Sequence, residues 1–364
     1  MSRVIRPWAV TLIFLLAYVG IILARHNGDP MSLVLVGSRF AGETPGVTPV
    51  GPSGYDGQFA YYIALDPVHP AGRLDVPAYR YQRILYPLLA RALSLGLPAL
   101  LPWAMLVVNL AAQAAGTAIL EALLIDAGVS RWYALAYGLW AGLAFAVRLD
   151  LNEPLSYGLV AAAYLAQRRN HPWWTAGWLT LAVLAKETAL IFVVAQIAFS
   201  LFNRDRRNLA ALGLLTLAPL AAFQFYLYSR FGSLGLTTGG DMATSFEIVP
   251  FMGVWRIGTV RPAALLLFLV FLAPLVMLPS VWGMFTSIRR LLARDFHPYV
   301  FALAANAGLI PFTPFSTFRE PLAILRFATG LVMATLLFGA YRRSRRTMLY
   351  SQLWLAALVF LVKE

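Results

Sequence analysis

Apolar runs, separated by short polar breaks that carry arginines, recur along almost the whole chain. The first run covers residues 8–24 and follows Arg3 and Arg6. A hydrocarbon core of about 30 Å takes roughly 20 helical residues to cross. The pattern therefore predicts an all-α polytopic membrane protein with about eleven transmembrane helices. The ten further spans are predicted at 101–124, 132–148, 154–167, 172–185, 188–202, 209–229, 262–287, 299–316, 327–341 and 348–362.

The first run begins like a signal peptide but ends differently. It closes on Leu23-Ala24-Arg25 and has no small-x-small cleavage site. We therefore expect a retained span with a cytoplasmic N-terminus. Residues 25–98 then form the long polar excursion of the sequence, rich in Gly, Pro and Tyr. We expect this segment to be a large first external loop within one transmembrane domain, residues 1–364, without a separate soluble domain.

The segment 172–202 is too long for one comfortable span, since about 30 helical residues measure about 45 Å. One helix would also bury Lys186 and Glu187 near the bilayer centre. Two half-length helices that meet at Lys186 avoid this and leave net charges of +11 on the cytoplasmic side and +2 outside. The positive-inside rule favours that arrangement. It predicts a multi-pass protein of the inner (plasma) membrane with its candidate site on the external face.

Composition narrows the function classes. The chain of 364 residues is 60% hydrophobic and only 12% charged, which excludes a water-soluble surface. Its net charge of +13 is spread between the apolar runs, so membrane lipids rather than nucleic acid are the expected partners. The chain has no cysteine, and its four histidines are scattered. A thiolate metal site and a cysteine nucleophile are therefore not indicated. The sequence also has no nucleotide-binding loop motif, so a soluble nucleotide cofactor is not indicated.

Carboxylates and cations gather at the predicted outer ends of the spans. If these helix ends converge beneath the first loop, the charges line one cavity. The alternative is that each is a helix-end charge at the level of the lipid headgroups. Arg326, a few residues into a span, fits that alternative least. The candidate substrate-binding residues in these positions are Arg80, Arg83, Asp150, Glu153, Lys186, Glu187, Arg319, Glu320 and Arg326.

One carboxylate, Asp56, stands between two glycines and before an aromatic run, in residues 54–62. Glycine permits close approach, and aromatic faces suit a sugar ring. Tyr55, Gln58 and Tyr61 are therefore further substrate-binding candidates. The alternative is that Asp56 only caps a short helix that ends near residue 65. Asp66, before Pro67, is expected to terminate that helix.

Residues 79–91 have the pattern of an interfacial amphipathic helix, with Arg80, Arg83 and Arg91 on one face. Arginine suits phosphate oxygens because its planar fork donates in pairs. Snorkelling arginines that only anchor the helix are the alternative. Other charged candidates also have a structural interpretation. Lys186 with Glu187, and Arg319 with Glu320, are each interpreted as a locally neutralising pair. Asp150 or Glu153 is interpreted as the cap of the fourth span.

The chain resembles the GT-C superfamily of integral-membrane glycosyltransferases. The resemblance lies in the loop after the first span, its early acid Asp56, two loop helices near 56–65 and 79–95, and three short strings. Bacterial members involved in cell-surface glycopolymer formation are closest in those strings. The chain also resembles mannosyltransferases that use polyprenyl-phosphate sugars. The strings are Tyr-Asp-Gly-Gln-Phe at 55–59, Arg-Ile-Leu-Tyr-Pro at 83–87 and Lys-Glu-Thr at 186–188.

This resemblance implies transfer of a sugar from a polyprenyl-phosphate donor to a glycan or lipid acceptor on the outer side of the membrane. Asp56 matches the loop carboxylate that acts as catalytic base or orients the acceptor. A transporter or flippase of lipid-linked saccharides and a non-catalytic assembly subunit stay open as alternatives. No cofactor is certain. A divalent metal held by Asp56 with Asp150 or Glu187 is also left open.

Overall fold

The computed structural model describes residues 5–42, 47–69 and 71–363. Helices make up 77% of the structure, and these residues contain no strand. One isolated bridge joins Val36 to Gly54. The predicted all-α class is confirmed.

The helices in chain order are α1 (Pro7–Arg25), α2 (Gly57–Leu65), α3 (Pro77–Tyr81), α4 (Leu85–Leu93), α5 (Pro98–Asp126), α6 (Ala141–Arg148), α7 (Glu153–Arg168), α8 (Pro172–Ala185), α9 (Leu190–Phe202), α10 (Arg206–Phe231), α11 (Met252–Val260), α12 (Pro262–Leu292), α13 (Pro298–Leu309), α14 (Pro321–Tyr341) and α15 (Arg345–Ser351). Shorter helical turns lie at Met31–Val34, Ser38–Ala41, Ala71–Arg73, Arg131–Ala134, Leu135–Gly138, Glu187–Ala189, Gly235–Thr237, Ile310–Phe312 and Phe315–Arg319. A 3₁₀ helix of 12 residues covers Gln352–Lys363.

Within the described residues, five helices are long and apolar enough to cross a membrane: α1, α5, α10, α12 and α14. They indicate a multi-pass membrane protein. Other predicted spans are shorter; α8, for example, has 14 residues and is about 21 Å long. The count of eleven spans therefore stays a prediction.

The predicted reversal at Lys186 is present. Lys186 has extended backbone (φ −158°, ψ 131°) and ends α8. The Ser156 hydroxyl donates to the Ala182 carbonyl at 2.9 Å, which sets α8 antiparallel to α7. Past the turn, α9 runs in the direction of α7, because Tyr157 bonds Thr188 near the start of both helices and Gln167 bonds Gln196 further along.

The predicted span at 132–148 is not one continuous helix. This segment consists of two short helical turns followed by α6, and nearly all of it is buried. The break lies at Trp140, whose indole N–H donates to the Leu325 carbonyl of α14 at 2.9 Å. An added Cβ at Gly142 would stand 2.4 Å from the same carbonyl oxygen. Close packing against α14 thus accounts for the interruption.

The first loop has an apolar core of its own, built around buried side chains such as Phe59, Tyr62 and Tyr86. This core packs against the first turns of α5 and α7, and so seats the loop on one end of the bundle. The predicted loop helix 79–95 is wrong as a single element, because it is divided into α3 and α4. Pro87 lacks the N–H that would bond the carbonyl of Arg83, and its ring crowds that carbonyl.

Candidate functional site

Asp56 immediately precedes α2, but among the described residues its side chain makes no capping hydrogen bond. Its two oxygens accept from two different arginines instead. Arg80 Nη1 donates to Oδ1 at 2.9 Å, and Arg326 Nη2 donates to Oδ2 at 3.2 Å. The capping interpretation of Asp56 is therefore wrong. The carboxylate joins the loop helix α3 to α14, although 270 residues separate Asp56 from Arg326.

The position of Asp56 depends on the residue after it. An added Cβ at Gly57 would stand 2.2 Å from the carbonyl oxygen of Leu149. The next residue of that connection, Asp150, has a left-handed backbone (φ 49°), which is costly outside glycine. Only glycine at position 57 lets the start of α2 lie this close to the turn between α6 and α7.

Arg80 is held on three sides. Its Nε and Nη2 each donate to one oxygen of Asp75 at 2.7 Å. Its guanidinium also lies over the Phe59 ring, 4.1 Å from the centroid. Paired hydrogen bonds of this kind fix the orientation of the guanidinium plane. Arg80 is therefore a rigid donor toward Asp56, and its side chain is 8% exposed.

Arg83 connects the loop to the turn between α8 and α9. Its Nε and Nη2 donate to the two oxygens of Glu187 at 2.7 and 2.6 Å, and Nη2 also donates to the Tyr79 hydroxyl. The guanidinium lies 4.3 Å from the Tyr79 ring centroid. The break between α3 and α4 thus leaves Arg80 and Arg83 with different carboxylate partners.

Glu153 and Arg326 form the part of the site that lies among the helix ends. Glu153 Oε1 accepts from Lys186 Nζ at 2.8 Å and from Arg326 Nε at 2.6 Å. Arg326 Nη1 donates to the Tyr55 hydroxyl at 2.9 Å, and that hydroxyl donates to Glu320 at 2.5 Å. Hydrogen bonds connect Asp56, Asp75, Arg80, Glu153, Lys186 and Arg326, and the Arg83–Glu187 pair adjoins them because Arg83 lines the same small cavity as Asp56 and Arg80. We call these eight charged residues the site cluster.

The four carboxylates of the site cluster differ in exposure. The side chain of Asp56 is 34% exposed, against 20% for Glu187, 6% for Asp75 and 1% for Glu153. Each of the four cationic side chains is less than 10% exposed. Asp56 is therefore the acid of the cluster that a ligand from outside reaches most easily.

Electrostatics keep Asp56 ionised. Burial alone would raise the pKa of this carboxyl, but Arg80 and Arg326, with smaller effects from Arg83 and Lys186, hold it well below its usual range. The pKa of Asp75 is also lowered: burial opposes the shift, but the hydrogen bonds and charge of Arg80, together with the amide hydrogen bonds from Asp241 and Val76, outweigh it. Burial raises the pKa of the Tyr79 hydroxyl, which stays protonated.

The space at the centre of the cluster is small. A cavity of about 10 Å³ is lined by Asp56, Arg80 and Arg83 together with Phe59, Ala60, Pro87 and Asn152. That volume holds about one water molecule. In this state the charged groups fill the site themselves.

Most of the sequence-predicted site residues meet in or beside the site cluster, and four of them lie elsewhere. Gln58 is completely buried and bonds the Gly37 amide and the Ser53 carbonyl, so it supports the loop. Tyr61 is buried in the loop core against Tyr62. Both side chains are enclosed in the loop core, which covers nearly every face of α2.

Asp150 and Arg319 also lie apart from the cluster. Asp150 is completely buried near Arg148 and Tyr86, and burial raises the pKa of its carboxyl. Arg319 is exposed and lies over the Phe315 ring at 5.7 Å, while its neighbour Glu320 accepts from Tyr55. Lys186 and Glu187 therefore do not neutralise each other, because Lys186 pairs with Glu153 and Glu187 with Arg83. The predicted pair of Arg319 with Glu320 is wrong as well, since Glu320 contacts Tyr55 instead.

Two further site residues were not predicted: Asp75, which holds Arg80, and Tyr79, which bonds Arg83. One signal for Asp75 was present, because it stands two residues before the helix-starting Pro77 and about one helical turn from Arg80.

The predicted end of the α2 helix at Asp66 is confirmed, since its carboxylate accepts from the Val68 and His69 amides.

No group of three or more His, Asp or Glu side chains suited to a metal ion is found in the described part of the chain. Asp56 and Glu187 contact arginines, and Asp150 lies elsewhere, so these three carboxylates do not form a common ligand set.

Comparison with known proteins gives no match: no family model, no curated protein and no solved structure matches the chain. The assignment of function therefore depends on the chemistry of the site cluster.

Proposed function

We propose that this protein is a membrane glycosyltransferase of the GT-C type that takes a sugar from a polyprenyl-phosphate donor. The acceptor is a lipid-linked or cell-surface glycan, and the reaction takes place on the outer side of the plasma membrane. About eleven spans and a cytoplasmic N-terminus belong to the same proposal. The observation that carries it is the position of Asp56, an accessible carboxylate held between cations of the first loop and of a long apolar helix.

The site cluster has the groups that such a transfer needs. The acceptor hydroxyl gives its proton to Asp56 as its oxygen bonds the anomeric carbon of the donor sugar. The bond between that carbon and the phosphate oxygen breaks, and its electron pair leaves with the polyprenyl phosphate. Negative charge therefore develops on the phosphate, where fixed cations stabilise it most. Arg80, Arg83, Lys186 and Arg326 are the four buried cations of the site cluster.

The location of the cluster suits a donor with a lipid tail. Arg80 and Arg83 come from the loop, whereas Glu153 starts α7, Lys186 follows the end of α8, and Arg326 lies in the second turn of α14. A phosphate bound there keeps its polyprenyl chain among apolar helices and presents its sugar toward the loop. Buried charges beside apolar helices are costly, and in membrane proteins such clusters usually mark a substrate site.

Reconstitution in liposomes tests the proposal. The purified protein is supplied with a panel of polyprenyl-phosphate hexoses and a glycolipid extract as acceptor, and the release of polyprenyl phosphate is measured. We expect release to depend on the protein and on the extract, with the labelled sugar recovered on an acceptor. Movement of intact donor across the bilayer without cleavage would identify a transporter instead. Intact and unmoved donor across the whole panel would count against both functions.

A further inference from the structure

Arg80 and Arg326 meet on one small anion. Their Nη atoms donate to the two separate oxygens of Asp56 at 2.9 and 3.2 Å, one from each arginine. Two guanidinium groups that converge on neighbouring oxygens form the kind of site that binds phosphate as well as carboxylate. In this structure the carboxylate of the protein itself fills that site.

The two arginines are anchored independently of Asp56. Asp75 takes two hydrogen bonds from Arg80, and Arg326 donates to Glu153 at 2.6 Å and to Tyr55. Asp56 has no comparable anchor among the described side chains beyond these same two arginines. It stands at the start of a short helix and is one-third exposed. Of the three groups, the carboxylate is therefore the one that an incoming anion displaces.

The space available also requires displacement. The cavity beside Asp56 and Arg80 measures about 10 Å³, which is room for about one water molecule and too little for a phosphate group. A ligand phosphate that contacts both guanidiniums must take the place of the carboxylate.

We propose that the Asp56 carboxylate occupies the phosphate site of the unliganded protein, and that the donor phosphate displaces this carboxylate from Arg80 and Arg326. This inference rests on the proposed function and adds an order of events. Asp56 is tied to two cations until the donor binds, and it is then released next to the sugar. Release removes the main cause that lowers the pKa of this carboxyl, so the base gains strength when the donor is present.

Binding of a polyprenyl monophosphate in detergent tests this exchange without any transfer step. Asp56→Asn removes the competing charge, and its amide N–H₂ cannot accept from an arginine. The charged hydrogen bonds that compete with the phosphate are then lost, so we expect Asp56→Asn to bind the probe at least roughly tenfold more tightly than the wild type. The matched control is Asp66→Asn, the same change at an exposed turn in the same loop.

Two further probes identify the part of the ligand that is recognised. Uncharged polyprenol should bind wild type and Asp56→Asn equally, because it has no phosphate to compete with the carboxylate. Inorganic phosphate should show the same preference for Asp56→Asn if the headgroup alone is sufficient. If only the polyprenyl monophosphate shows it, the lipid tail is needed to deliver the phosphate to the site.

The outcomes separate this inference from the proposed function. Equal or weaker probe binding by Asp56→Asn overturns the exchange, and the proposed function stands if the wild type still transfers sugar. Tighter binding supports the exchange even if transfer is later found to use another base. If neither protein binds the phosphate probe, both the exchange and the donor assignment are wrong.

A second measurement covers the case in which Asp56→Asn does not fold. The structure of the wild type with the polyprenyl monophosphate bound should show both contacts to Asp56 opened beyond hydrogen-bonding distance. Their persistence at 2.9 and 3.2 Å in the liganded protein would overturn the exchange.

Discussion

The two ends of the helix bundle both carry charges, but they hold them differently. In the site cluster, ion pairs measure 2.6–3.2 Å and the cationic side chains are less than 10% exposed. At the opposite end, Glu121 lies 3.5 Å from Arg131 and 3.9 Å from Arg6, whose side chains are 33% and 59% exposed. The Arg342–Asp295 pair there measures 3.8 Å. Arg326 and Arg342 stand about 24 Å apart along α14.

This difference separates two uses of arginine in a membrane protein. The arginines at the opposite end are more exposed and lie farther from their carboxylate partners, which suits a role in topology and lipid contact. The site cluster removes eight charged groups largely from water, which is expensive unless every partner is present. The desolvation of these charges is unfavourable if their only role is to hold the loop in place. A ligand-binding role, as proposed above, gives a reason for it.

Removal of one acid should produce the largest difference in stability between the two ends. Glu153→Gln leaves Lys186 and Arg326 without their shared buried carboxylate, and we expect a loss of about 3–5 kcal/mol in unfolding free energy. Asp295→Asn at the opposite end should cost less than about 1 kcal/mol. Thermal unfolding in detergent measures both variants. Similar midpoints for the two would remove the distinction drawn between the ends.

Removal of one arginine from α14 should sharpen the comparison for ligand binding. Arg326→Gln eliminates the donor to Asp56 and to any phosphate that replaces it, so affinity for polyprenyl monophosphate should fall by about 10- to 100-fold. Arg342→Gln makes the same change at the other end of the helix and should leave affinity unchanged. An equal loss in both variants would show that the probe responds to overall charge, not to the site.

A single methyl group at position 57 should disturb the site through the backbone. Gly57→Ala places a Cβ 2.2 Å from the Leu149 carbonyl oxygen, so the start of α2 must move and carry Asp56 with it. We expect a loss of about 1–3 kcal/mol in stability together with lower transfer activity. Gly177→Ala in α8 is the control, because open space surrounds that position in the described part of the chain. Unchanged stability and activity in Gly57→Ala would show that the close approach does not position Asp56.

The smallest expected effect concerns acid. The pKa values of Asp56 and Asp75 lie below the usual value of about 3.9, so their contribution to stability is complete above about pH 4 and is lost as the pH falls further. The unfolding midpoint of the wild type should fall below that pH, and Asp75→Asn should show a shallower fall. Asp241→Asn, in an exposed pair with Arg39, should keep the slope of the wild type. An identical slope in Asp75→Asn would contradict the assignment.

The sequence predicted the elements of the site better than their contacts. Apolar runs predicted the helical class, and the charge at Lys186 predicted the reversal there, because both depend on local pattern and on the cost of burying a charge. Pairings such as Arg83 with Glu187 or Arg326 with Glu153 join residues 104 and 173 positions apart. No local pattern contains such a pair, which depends on how the helices pack.

The errors have physical causes of the same kind. Gln58 and Tyr61 were expected to face a ligand, but α2 is enclosed by the core of the loop and shows almost no free face. The helix expected at 79–95 was drawn from its amphipathic pattern, and the effect of Pro87 on the carbonyl of Arg83 was overlooked. Asp75 was missed because its role, which is to accept two hydrogen bonds from Arg80, depends on where α3 places that arginine.

The rate of sugar transfer by Asp56→Asn tests the central claim most directly. The variant keeps the size of the side chain and removes its charge and basicity. We expect the rate to fall by about 10² to 10⁴-fold in the liposome assay, as is typical for the loss of a general base, with the unfolding midpoint close to that of the wild type and polyprenyl monophosphate still bound. Asp66→Asn should retain the wild-type rate. Near-normal transfer by folded Asp56→Asn would contradict the assignment of Asp56 as the base.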